Sequence, residues 1–224
     1  MKLKKVLSTI MICIISLCLV ACNSSNKPKV ATINADDDII MTIYAYDGVG
    51  ESKFGLINLG HSFLSFENKT TETIMIGPFD LGAGETVAIS SWSISEHFGI
   101  WYNTENNYIK YHDKYNGRVS VSVGLKIDCL ETLNNFIKNN DNWYLTKNCT
   151  NFSVGLWNTL CEESERVSTP LIYTPSRLSK DIKSFTTYEK NRDIPVSDRF
   201  GYFDSCGNFV QFAFASSLVE VENA

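Results

Sequence analysis

Two side chains in this sequence are of the types that perform acyl transfer. Cys149 stands in Asn148-Cys149-Thr150-Asn151-Phe152, where a polar step leads into Cys149, Phe152, Leu156 and Leu160 at helical spacing. A thiol in the first turn of a helix faces unpaired backbone N–H groups and the positive end of the dipole, both of which favour thiolate. To attack a carbonyl carbon it needs an imidazole or another base beside it. His61, in Gly60-His61-Ser62-Phe63-Leu64-Ser65-Phe66, lies at the start of a β-like segment, where a rigid scaffold can aim it. The distance along the chain is no obstacle, because the partners need only meet in space. Each residue also has a plain structural use, the cysteine as a small buried apolar group and the histidine as a packing residue. His97, in Glu96-His97-Phe98-Gly99-Ile100-Trp101-Tyr102-Asn103, is the candidate third residue, orienting the imidazole or lying on the substrate side. Trp101 and Tyr102 are read as core, and His112, in Tyr111-His112-Asp113-Lys114, as exposed.

The other thiols point elsewhere. Cys129, Cys161 and Cys206 make no paired-cysteine knuckle and no cysteine–histidine ligand spacing, so neither a zinc site nor any other cofactor is expected. Outside a cell they permit disulfides, but the spacing assigns no pairing. The acidic run Asp36-Asp37-Asp38 is read as solvated rather than metal-binding.

The start of the chain carries an address. Lys2, Lys4 and Lys5 precede an apolar run from Val6 to Val20, the layout of a secretory signal. At about fifteen residues the run is short of the roughly twenty needed to span a bilayer. Leu19-Val20-Ala21-Cys22 resembles the lipobox of bacterial lipoproteins, which implies cleavage before Cys22 and lipid on its thiol. Two or more acyl chains hold a protein stably on a membrane. The expected organisation is a signal peptide (1–21), a tether (22–37) and a single domain (38–224), lipid-anchored on the extracytoplasmic face of the cell membrane. With 20 basic and 25 acidic residues and no basic stripe, the chain is poorly suited to nucleic acid.

Several elements must position the candidate residues. Strands are predicted at 39–46, 60–67, 73–77, 85–92 and 118–127, with turns at 68–71 and 81–84. Helices are predicted from Asp128, from about Cys149, and from Thr174-Pro175, an N-cap followed by proline at the first helical position. The tail from Asn208 to Val219 reads as β-structure, and the class is α+β.

Asn148-Cys149-Thr150-Asn151-Phe152, with the His61 strand, resembles the signature of the permuted papain-like NlpC/P60 superfamily, the group that includes lecithin:retinol acyltransferase-like proteins. In permuted members the histidine precedes the cysteine, as His61 precedes Cys149. The resemblance covers roughly residues 54–160. It implies an antiparallel sheet with packed helices, a cysteine at a helix N-terminus, and cysteine amidase or peptidase activity, with cell-wall peptides as the natural substrate. Relatives commonly carry the orienting polar residue on the strand after the histidine strand; here that strand offers only Glu72 and Thr73, a departure from the pattern. The alternative is a non-catalytic module that binds a cell-envelope partner with the same fold. Replacement Cys22→Ser is expected to abolish labelling by radioactive fatty acid and to leave unprocessed precursor; undiminished labelling would end the lipoprotein reading.

Overall fold

A near-continuous apolar run rich in β-branched and aromatic residues makes Ile39–Tyr46 (β1) a strand that buries both faces, and the central sheet is arranged around it. The computed structural model describes residues 28–48, 60–169 and 173–212. In chain order there follow β2 (His61–Asn68), β3 (Ile74–Ile76), β4 (Phe79–Leu81), β5 (Thr86–Ile94) and β6 (His97–Tyr102). Helix α1 (Thr104–His112), β7 (Val119–Leu125), α2 (Leu130–Asn139), α3 (Cys149–Leu160) and α4 (Pro175–Ile182) come next. The short strands β8 (Glu189–Lys190), β9 (Gly201–Phe203) and β10 (Phe209–Gln211) complete the described chain. The protein is α+β, with a large antiparallel sheet and helices packed on it.

The sheet runs β10-β9-β6-β5-β2-β1-β7-β8, while β3 and β4 form a separate hairpin. Its register sets two ends. Tyr46 pairs with His61 and Ala45 with Val119 at one end; Ile39 pairs with Asn68 and with Leu125 at the other.

Alternation along the strands divides the core between two faces. On one face Ile39, Met41, Ile43, Leu64 and Phe66 meet Leu133 and Ile137 of α2, Phe152 and Leu156 of α3, and Leu178 and Ile182 of α4. On the other, Tyr44 and Phe63 stack at 4.5 Å and pack with Ala88, Ile194, Ile109 of α1 and Tyr115.

The strands expected at 39–46, 60–67, 85–92 and 118–127 have counterparts in β1, β2, β5 and β7, and α3 and α4 begin near their predicted starts. Helix α2 starts at Leu130, after a 3-10 turn over Ile127–Cys129. Helix α1 has no counterpart in the sequence reading. Its first turn buries Thr104, Glu105, Asn106 and Asn107, so its inward side lacks the apolar periodicity that marks a helix. The expected β-tail is realised in β10, and its remainder lies outside the described residues, as do the signal segment and Cys22. Residues 28–37, read as tether, lie against the domain: Ala31 is in the core and Lys29 bridges to Phe185.

Gly60 brings the chain into β2 with φ of +75°, and a Cβ there would sit 2.3 Å from the Tyr46 carbonyl oxygen and 3.0 Å from Pro175 Cβ. Gly60→Ala is therefore expected to lower stability by about 2 kcal/mol or more, read from urea or thermal unfolding. An unchanged midpoint would show that this turn yields easily.

Candidate active site

Cys149 owes its position to the residue before it. Asn148 caps α3: its side-chain oxygen accepts from the N–H groups of Thr150 (2.9 Å) and Asn151 (3.1 Å), and Asn151 returns the contact to the Asn148 N–H (3.4 Å). This reciprocal box makes Cys149 the first helical residue. Its own N–H has no acceptor among the described residues. The start of β2 lies against this first turn, so that Ser62 stands beside the sulfur, where its polar groups favour the thiolate. The Ser62 hydroxyl also lies 3.1 Å from Thr150 Oγ1, tying strand to helix.

His61, buried at 7% exposure, opens β2 beside the Cys149 sulfur, near enough for each group to act on the other's charge. Its Nε2 lies 2.8 Å from Oε1 of Glu105, which leaves Nδ1 for the thiol. Trp92 Nε1 donates to the same carboxyl oxygen at 2.8 Å. The imidazole is flanked by the rings of Trp92 (4.3 Å) and Tyr115 (5.4 Å), whose π-faces favour a cation. Tyr115 is reached by the chain in a left-handed conformation, φ of 59°. Burial first, then the charge of Glu105, holds its phenol well above the usual range, so it is neutral here.

The charges settle in a definite order. Burial alone would push the Cys149 thiol up, but the charge and hydrogen bond of His61, with the Ser62 donors, bring it down to about 7. Burial alone would push His61 down, but the thiolate, its hydrogen bond and then Glu105 bring it up to about 9. Below about 7 the pair is thiol and imidazolium; between about 7 and 9 it is thiolate and imidazolium. This is an activated sulfur nucleophile next to a proton donor.

Glu105 is held by an asparagine-rich frame. Asn103 takes a left-handed turn (φ of 59°), accepts from the Ala88 N–H (3.0 Å) and donates to the Arg199 carbonyl (2.7 Å). Asn106 donates to the Pro195 carbonyl (2.7 Å) and Asn107 to the Asn103 carbonyl (2.8 Å). Glu105 then falls in the first turn of α1, where the helix dipole favours negative charge. Its Oε2 is buried with no partner among the described residues.

The structure thus brings His61 and Cys149 together, while His97, at the start of β6, does not bond the imidazole. His97 Nε2 lies 2.9 Å from Asp141 Oδ1, and its ring stacks on Tyr202 at 4.8 Å. The position beside His61 that was expected for His97 is held by Glu105. Glu72 and Thr73 lie exposed on the turn into β3, which is not a neighbour of β2 in the sheet. Trp101 and Tyr102 are buried and His112 is exposed. Burial pushes the Cys129 thiol up to about 11 and the Cys161 thiol higher still, the opposite of Cys149, while Cys206 is exposed. The one signal for Glu105 in the sequence was an acid amid Asn103-Thr104-Glu105-Asn106-Asn107, directly after an aromatic strand.

No family model, no curated protein and no solved structure matches this chain.

Glu105→Gln keeps the shape and removes the charge that supports the imidazolium. Alkylation of Cys149 by iodoacetamide, followed against pH, should then shift its midpoint upward from about 7 toward the free-thiol value of about 8.5. No movement of the midpoint would mean that Glu105 is only a structural tie.

Proposed function

We propose that this protein is a lipid-anchored cysteine hydrolase of permuted papain-like, NlpC/P60 type, cleaving an amide bond outside the cytoplasmic membrane. The observation that carries the reading is the Cys149–His61 pair, with the thiol lowered and the imidazole raised by each other. The order of the motifs and the cysteine at a capped helix start support the permuted papain-like assignment.

In this reading the Cys149 thiolate attacks the carbonyl carbon and forms a tetrahedral intermediate. The negative oxygen takes a hydrogen bond from the Cys149 N–H, which has no competing acceptor among the described residues. As the C–N bond breaks, His61 gives its proton to the leaving amine, and an acyl-thioester remains on Cys149. Neutral His61 then takes a proton from water, the resulting hydroxide attacks the thioester, and the acid leaves as the thiolate re-forms. Glu105 holds the imidazole through Nε2 and supports its positive charge in both halves of the cycle. Peptides of the cell wall suit an enzyme at this location. The binding-module alternative drew its strength from the absence of a residue to orient His61, and Glu105 favours the hydrolase over it.

Catalysis needs Cys149 ionised and His61 protonated. kcat/KM for a peptide amide should therefore rise with pH through about 7 and fall above about 9. Cys149→Ala should lower it by about 10³-fold or more with little change in unfolding midpoint. An Ala variant that keeps its activity would sink the proposal.

A further inference from the structure

The central strands place the Cys149–His61 pair and the root of the N-terminal segment at opposite ends of the domain. His61 pairs with Tyr46 at the last position of β1, and α3 begins there with Cys149. The N-terminal segment docks at the other end. The Thr32 carbonyl accepts from the Gly124 N–H (2.9 Å), and Gly124 pairs with Ile40 at the start of β1. Thr32 N–H donates to Glu165 (3.1 Å) and Lys29 Nζ to the Arg166 carbonyl (2.6 Å), both beyond the C-terminal end of α3. Lys29 also bridges to Phe185, just beyond α4. From Ile39 to Tyr46 an extended strand covers about 23 Å.

Only six residue steps separate Cys22 from Pro28, a reach of at most about 22 Å. Resting on the lipid-anchor and hydrolase readings above, we infer that the catalytic end of the domain points away from the bilayer. It takes its amide substrate from the aqueous, wall-facing side and not from the acyl lipids of the membrane. The anchor fixes the end opposite to the thiol, and so short a link gives the domain little room to turn over. Exposed apolar residues beside the nucleophile, Leu145 (82% exposed) with Tyr144 and Phe98, make the opposite orientation, with that rim in the membrane, the competing arrangement.

The test uses the full-length lipidated protein in vesicles that carry an acceptor dye on a lipid headgroup. A fluorescent amino acid is introduced by codon suppression at Ile33 (49% exposed) or at Leu145. Transfer several-fold stronger from position 33 than from 145 is expected; equal transfer, or stronger transfer from 145, overturns the orientation. On the same vesicles, a soluble peptide amide should be cleaved and an N-acyl amide lipid embedded in the bilayer spared. Comparable cleavage of the embedded lipid overturns the substrate assignment. If neither is cleaved while the transfer difference stands, the hydrolase reading fails and takes the substrate assignment with it, but not the orientation. If Cys22→Ser protein stays on the vesicles, the lipid anchor is what fails.

Discussion

A carboxyl group with no exposure to solvent, accepting two hydrogen bonds through a single oxygen, is the constraint around which the candidate site is built. Glu105 would be expensive to bury alone; next to an imidazolium and an indole N–H its burial is offset, and its charge in turn supports the cation on His61. The carboxyl can lie there only because α1 begins where it does. That start is fixed by asparagine side chains reaching β5 and the carbonyls of Pro195 and Arg199. The frame is not fully satisfied, since Glu105 Oε2, Thr104 Oγ1 and Asn106 Oδ1 are buried without a partner among the described residues, which makes its remaining bonds the more important. Removing any one asparagine would loosen the carboxyl, then the imidazole, and finally the ionisation of the sulfur.

The two faces of the sheet divide the work. The face covered by α2, α3 and α4 is largely apolar and sets the direction of α3, hence where its first residue emerges. The face under α1 is smaller and holds the stacked Tyr44 and Phe63, with His61 continuing the same side of β2. Cys149 comes from the first face and Glu105 from the second. His61, as the first residue of β2, stands where the sheet ends and one ring can touch both. A histidine two or four residues further along the strand would be shut beneath α1.

Much of this arrangement was legible in the sequence. A β-rich run marked β1, alternation marked β7, and Cys149, Phe152, Leu156 and Leu160 at helical spacing announced α3. Gly60 followed by an aromatic strand made His61 the natural histidine to consider. The orienting group was hidden for two physical reasons. β3 and β4 fold off as their own hairpin, so the strand beside β2 is β5, and looking to the next strand in the chain led to Glu72 and Thr73. Helix α1 buries polar residues at its start, so a search for apolar periodicity passes over it. His97 attracted attention through its aromatic neighbours, but those rings belong to the packing of β6 on β9. The three-residue strand β9 carries too little pattern to be seen before it is paired.

The left-handed backbone at Tyr115 has a bearing on how the protein could be hardened against heat. Glycine or asparagine would adopt that conformation with less strain, and such exchanges are a standard route to higher melting temperature. Here the tyrosine ring lies against the imidazole of His61, so the same exchange would strip one wall from the proton carrier. Thermal robustness and turnover are thus set against each other at a single position, and stabilising changes are better sought on the far end of the sheet.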